Sequence, residues 1–110
     1  MKATWASAAI MLVLAACGRG ELDTITFQGV QFTGNLRAER GDRATFVATG
    51  GPASVSLEGA RRAAYYQAVQ HCIAYLGSSD IAWINGPDVE DAALLIDNNS
   101  VVLSGRCVEP

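Results

Sequence analysis

Apolar residues recur at three- and four-residue steps between Ser56 and Leu76, and this spacing predicts a single helix. Ser56 is a suitable N-cap, Glu58 lies in the first turn, and Gly77 is a residue type that commonly ends helices. The expected buried stripe consists of Tyr65, Ala68, Val69, Cys72, Tyr75 and Leu76, with Tyr66 at its flank. We therefore expect Cys72 to lie at the centre of the face that packs on the rest of the protein.

Before this helix, alternation of apolar and polar residues predicts strands. Residues 30–38 keep a period of two, whereas Ile25 and Phe27 have the opposite parity, which indicates a bend, a bulge or a short turn at Gln28-Gly29. Gly41-Asp42 predicts a hairpin turn that leads into a strand over residues 43–49. We expect Gly50-Gly51-Pro52 to end the sheet before the helix begins.

After the helix, three further strands are predicted. Residues 80–85 form one, with Ile81 and Trp83 on the same face, and Gly86-Pro87-Asp88 ends it. Residues 94–96 and 101–107 form the other two, joined by a turn at residues 97–100. The order is β-β-α-β-β-β, which indicates an α+β domain: one helix on one face of a mostly antiparallel sheet of four or five strands.

The N terminus has a different pattern. Lys2 is followed by an apolar stretch from Trp5 to Leu14, which as a helix would span about 15 Å, half of a hydrocarbon core of about 30 Å. The step Leu14-Ala15-Ala16-Cys17 matches the pattern of a lipobox, so we expect the cysteine sulfur to become the site of lipid attachment. We predict that residues 1–16 are a signal that is removed, that residues 17–23 are a lipidated start and linker, and that residues 24–110 form one domain. An ordinary secretory signal is the alternative, although Leu14 is large for its cleavage site.

This stretch resembles the signal peptides of bacterial lipoproteins, over about the first seventeen residues. The resemblance implies a membrane anchor of two or three acyl chains on Cys17, and such an anchor is effectively permanent. Gly18 stands where an aspartate would mark retention in the inner membrane, which implies the periplasmic leaflet of the outer membrane. The helix and next strand, with Ser79-Asp80-Ile81-x-Trp83 and then Gly86-Pro87, resemble small bacterial envelope lipoproteins of unknown function.

Two cysteines remain besides the lipidated Cys17 after removal of the signal, Cys72 and Cys107. The helical stripe places Cys72 toward the interior, and the alternation of the last strand places Cys107 on the same side as Val101 and Leu103. In an oxidising compartment we expect the pair to form a disulfide rather than to stay as free thiols.

Charge is distributed unevenly along the chain, whose formal net charge is −3. From Ala63 onward one arginine is present with six acidic residues, and this balance argues against nucleic acid and against electrostatic binding to anionic lipid. The earlier arginines are candidates for a basic patch: Arg37, Arg40, Arg43, Arg61 and Arg62. The simpler interpretation of the last two is ion pairing with Glu58, three and four residues before them.

Candidates for catalysis or metal binding are few. His71 is the sole histidine, and a solvated position on the flank of the helix is favoured over a general base paired with Asp80 or Asp97. No zinc site is expected, because one histidine and an oxidised cysteine pair do not supply the ligands. The acidic residues Asp88, Glu90, Asp91 and Asp97 lack the spacing of a calcium loop. We expect no cofactor, no metal and no catalytic residues.

Three functions are compatible with these observations. The favoured one is a non-enzymatic lipoprotein that binds an unknown envelope protein, with Arg61, Arg62, Tyr66 and Asp88 as the candidate interaction surface. The second is an inhibitor of a wall hydrolase, or a binder of a small ligand, acting through the exposed loop Asn85-Gly86-Pro87-Asp88. An enzyme is the third and the least favoured.

Overall fold

The computed structural model describes residues 24–109, so the predicted signal, Cys17 and the linker lie outside the described residues. Within this range the order of elements is β1 (Thr24–Phe27), β2 (Val30–Glu39), β3 (Asp42–Gly51), α1 (Leu57–Leu76), β4 (Ile81–Asn85), a 3₁₀ turn (Asp91–Ala93), β5 (Ile96–Asp97) and β6 (Ser100–Cys107). No helix in this part of the chain is long and apolar enough to cross a bilayer.

The strands form one antiparallel sheet in the order β1-β2-β3-β6-β4. β5 also pairs with β6, next to Ser100 and Val101, so β4 and β5 follow one another along the same side of β6. Helix α1 covers one face of the sheet, with most of its contacts to β2 and β3. The predicted α+β fold is confirmed, as is the N-cap Ser56, whose hydroxyl accepts a hydrogen bond from the Gly59 amide.

Apart from His71, the buried residues of α1 are small: Gly59, Ala60, Ala63, Ala64, Ala68 and Cys72. The helix therefore lies very close to the sheet. A Cβ on Gly50 would lie 2.2 Å from the carbonyl oxygen of Ala60, and a Cβ on Gly34 would lie 2.9 Å from that of Ala63. The predicted stripe was wrong for Tyr65 and Tyr75, which are 46% and 57% exposed, because no room for a large side chain remains between helix and sheet.

Two other predictions need correction. The sheet does end at Gly50-Gly51-Pro52, but only after both glycines: they are the last two residues of β3 and pair with Gly34 and Thr33 of β2. The strand predicted over residues 94–96 is instead β5, which begins only at Ile96. A 3₁₀ turn comes before it, and Leu94, which follows that turn, is buried in the core. The turns at Gln28-Gly29 and at Asn98-Asn99 are confirmed, and all four residues have positive φ angles.

The predicted disulfide joins Cys72 near the end of α1 to Cys107 at the end of β6, with a Cα–Cα distance of 5.5 Å. Both residues are almost fully buried. The bond therefore attaches the last turns of the helix to the end of β6, an interior strand of the sheet.

Candidate functional site

One flank of α1 and the segment after β4 enclose a surface cleft of about 260 Å³, here called the α1–β4 cleft. It is lined by Glu58, Arg61, Arg62, Tyr65, Pro87 and Asp88. Arg61 and Arg62 lie three and four positions after Glu58 and four and three before Tyr65, which places the four residues on one flank of the helix. The cleft thus combines two arginines, two carboxylates and an aromatic ring.

An aromatic stack lies beside this cleft. The half-exposed ring of Tyr65 stacks on Trp83 of β4, with centroids 6.2 Å apart and an interplanar angle of 29°. Trp83 in turn meets the buried ring of Phe46 edge to face at 5.9 Å. The Tyr65 ring is therefore supported from the core, and its outer part is presented to solvent.

A tight turn after β4 brings the second wall of the cleft into place. A Cβ on Gly86 would lie 3.0 Å from the Cβ of Trp83, so a glycine allows the chain to fold back over the tryptophan. Pro87 is buried by this turn, whereas Asn85 and Asp88 are exposed. The loop that was expected to be exposed as a candidate inhibitory loop is therefore partly packed against the domain.

Ion pairs organise the charged groups of the cleft. Nη2 of Arg61 lies 2.5 Å from Oδ1 of Asp91, and Arg61 also approaches Glu58 at 3.7 Å. Arg62 pairs with Glu58 at 3.3 Å, and its guanidinium lies 4.9 Å from the centre of the Phe27 ring. The predicted pairing of Glu58 with both arginines is confirmed. Among residues 24–109, the buried Nε of Arg61 has no hydrogen-bond partner.

The predicted interaction surface is brought together only in part. Arg61, Arg62 and Asp88 line the α1–β4 cleft, but Tyr66 does not. Tyr66 lines a second cleft of about 420 Å³, together with His71 and Tyr75. The reason is helical geometry: Tyr66 follows Tyr65 by one position and points about 100° away from it around the helix.

The prediction that His71 is solvated was wrong, since only 8% of the residue is exposed. Its Nε2 atom donates a hydrogen bond of 2.6 Å to the carbonyl oxygen of Arg43, and its ring contacts Phe46 and Tyr75. Within the described range it forms no ion pair with a carboxylate, so neither Asp80 nor Asp97 is a partner. His71 connects α1 to the start of β3.

The acidic residues after β4 do not form a metal site in the part of the chain that the structure describes. Asp91 forms an ion pair with Arg61, and Asp88 lines the α1–β4 cleft. A larger cleft of about 740 Å³ runs along the β2–β3 hairpin between Leu36 and Val47. Its one aromatic residue, Phe46, is buried, so the α1–β4 cleft is the better candidate for a protein contact.

Comparisons of the chain with protein-family models, with curated proteins and with solved structures find no match. The resemblance of the first residues to lipoprotein signals remains a prediction.

Two contacts of the site were not predicted from the sequence, the Tyr65–Trp83 stack and the Arg61–Asp91 pair. The second joins residues 30 positions apart, and its partners belong to elements whose relative placement depends on the whole fold. The alternation of residues along β4 gave a partial signal for the stack, because it places Trp83 on the same face of the sheet as Ile81. Both residues pack against the core, on the face that the helix covers.

Proposed function

We propose that this chain is a lipid-anchored, non-enzymatic protein of the bacterial envelope that binds another protein through the α1–β4 cleft. The anchor is the predicted lipid on Cys17, and the proposed location is the periplasmic leaflet of the outer membrane. The partner class is an envelope protein, and no cofactor or nucleic acid takes part.

One observation carries the interaction part of the proposal: Tyr65 is half exposed, is stacked on Trp83, and lies beside Arg61 and Arg62. Tyrosine, tryptophan and arginine are the residue types that contribute most binding energy at protein interfaces. A tyrosine held by its neighbours also loses little conformational entropy on binding, which favours affinity.

The charges around Tyr65 favour a protein partner over a small anion. Arg61 is neutralised by Asp91 and Glu58, and Arg62 by Glu58. An anionic ligand would have to compete with these carboxylates for the guanidinium groups. A larger partner can instead cover the aromatic ring and leave the ion pairs at the rim of the contact.

The disulfide supports the proposed compartment. Disulfides persist in oxidising locations such as the periplasm and are rare in the cytosol. A domain of this size with a helix packed through alanines and glycines has few large side chains in its core, and a covalent link between α1 and β6 compensates for this.

The test is chemical crosslinking in intact cells that express the tagged full-length chain. We expect Tyr65→Ala to reduce capture of a specific partner at least about fivefold, the effect of removing a side chain that contributes about 1 kcal/mol or more. Quantitative mass spectrometry of the captured proteins measures the effect.

Tyr75→Ala is the matched control, since Tyr75 is on the same helix, is similarly exposed and lies on the other flank. This variant should capture the partner as the wild type does. Equal capture by the two variants, or equal loss in both, would contradict the assignment of the cleft as the contact surface.

A further inference from the structure

Strand β4 forms one edge of the sheet, and its outer side has no partner strand among residues 24–109. The amide of Val108 donates to the carbonyl of Asp80, and Ala82 lies opposite Arg106. In an antiparallel pair the residues that bond to the neighbour alternate with residues whose peptide groups point away. Asp80 and Ala82 therefore face β6, and the peptide groups of Ile81 and Trp83 are directed to the open side.

This edge lacks two of the features that usually prevent strand addition, charged residues and prolines, although β4 is short and its register against β6 shifts after Trp83. Sheet edges are commonly protected by charged residues, prolines or bulges, and residues 81–85 include neither a charge nor a proline. The opposite edge differs: beyond Thr33, where the pairing with β1 ends, β2 carries Arg37 and Glu39 and has an irregular register after Ala38. On β4 the register shift against β6 comes only after Trp83.

Apolar side chains flank the open edge on both faces of the sheet. Trp83 and the half-exposed Tyr65 lie on the helix side. Ile84 lies on the other side and is 72% exposed, the largest value among the exposed large hydrophobic residues of the described part. An added strand would thus form backbone hydrogen bonds with β4 and apolar contacts on both faces of the sheet.

Acidic residues precede and follow β4 in the sequence, and Asp88 lies on the helix side, in the α1–β4 cleft. Asp80 immediately precedes the strand, and Asp88 and Glu90 follow it; none of the three forms an ion pair within residues 24–109. A segment that carries arginine or lysine on each side of its apolar residues would be complementary to this arrangement. A second copy of the chain would not, because antiparallel pairing of two β4 strands brings Asp80 of one copy toward the acidic residues that follow β4 in the other.

We propose that the outer edge of β4 binds an extended, basic-flanked segment of the partner protein as an additional strand of the sheet. This inference rests on the proposed function and specifies how the partner is recognised. The backbone of Ile81 and Trp83 supplies the hydrogen bonds, and the side chains of Tyr65, Trp83 and Ile84 select alternating apolar residues.

The test uses a phage-displayed library of random peptides, selected on the full-length chain in detergent. We expect the selected peptides to share alternating apolar residues with arginine or lysine at both ends. Synthetic copies of the best peptide are then N-methylated at one amide at a time. Methylation at alternate amides should weaken binding at least tenfold, and methylation at the intervening amides should have little effect.

Ile84→Lys tests whether the peptide binds at the outer edge of β4, and Val47→Lys is its control. Val47 is 40% exposed on the same open face of the sheet but lies in the central strand β3. The first substitution should weaken the peptide at least tenfold by placing a positive charge beside β4, and the second should not.

Any of three results with peptides would overturn the inference: no alternating, basic-flanked peptides are selected, N-methylation has no alternating effect, or Ile84→Lys binds the peptide as Val47→Lys does. A wild-type dimer that Ile84→Lys dissociates would also overturn it, since the edge would then belong to a second copy. Failure of the proposed function is recognised separately, because Tyr65→Ala would then retain capture in cells whatever the peptides do.

Discussion

Glycine residues determine how closely α1 approaches the sheet. Gly50 lies in β3 directly beneath the helix, where a Cβ would be 2.2 Å from the Ala60 carbonyl oxygen and 2.5 Å from the Ala64 nitrogen. Both are backbone atoms of the helix, so they cannot move without shifting the element. A side chain at this position forces helix and sheet apart.

We therefore predict that Gly50→Ala destabilises the domain by about 1 to 3 kcal/mol or more, the cost of overpacking a core. Urea unfolding followed by circular dichroism measures it. Gly41→Ala is the control, because nothing lies within 4 Å of a Cβ there and its φ is ordinary. A stability of Gly50→Ala equal to that of Gly41→Ala would show that the helix is not held this close.

Asp42 makes a local contribution to the pH dependence of stability. The pKa of Asp42 is lowered, chiefly by the hydrogen bond from the Thr45 side chain, and Arg106 lowers it further. Because the carboxyl has a lower pKa when folded than when unfolded, its contribution is present above the unfolded pKa of about 3.9 and is lost as the pH falls through the folded value.

We predict that the wild-type Tm falls over this acidic range and that Asp42→Asn removes part of the decrease. Thermal melts from about pH 6 to about pH 2 measure it. If the variant and the wild type lose Tm in parallel below about pH 4, Asp42 does not contribute as described.

At the scale of elements, the disulfide closes a loop of about 36 residues, since the sequence separation is 35. In the chain-entropy model, a disulfide that closes such a loop in the unfolded chain raises the free energy of unfolding by about 3.8 kcal/mol. We predict a loss of this order for the double variant Cys72→Ala and Cys107→Ala, measured by urea unfolding. A reducing agent should destabilise the wild type and leave the double variant unchanged. A wild type that is insensitive to full reduction would contradict this.

The elements themselves were largely predictable because their ends carry local signals. Ser56 caps α1, Gly77 ends it, and the turn at Asn98-Asn99 joins β5 to β6. The buried face of α1 was not predictable in the same way. Apolar periodicity predicts that large side chains such as Tyr65 are buried. The close contact between helix and sheet depends instead on Gly50, a residue type that in the sequence suggests the end of a strand.

The candidate site was predictable only in part, for the same kind of reason. Arg61, Arg62 and Asp88 were identified from charge and loop position, and they do line one cleft. The stack of Tyr65 on Trp83 required the packing of α1 against β4, which no local pattern specifies.

At the scale of the whole molecule, the arginines that were candidates for a basic patch do not all lie together. Arg61 and Arg62 lie in the first turns of α1 with Glu58. Arg43 is near the other end of the helix, where its guanidinium lies 4.4 Å from the centre of the Tyr75 ring. Positions 61 and 75 are about 21 Å apart along a helix, so the groups act on different surfaces.

The central claim is that this domain works from a lipid anchor, because the oxidising compartment and the class of partner both follow from it. Cys17→Ser tests it most directly, through membrane fractionation and mass spectrometry of the N-terminal peptide. We predict that the wild type is retained in the membrane with diacylglycerol on Cys17, and that the variant is either released as soluble protein or left with its signal attached. A fully processed Cys17→Ser protein that stays in the membrane, or a wild type that begins at an unmodified residue, would contradict the account.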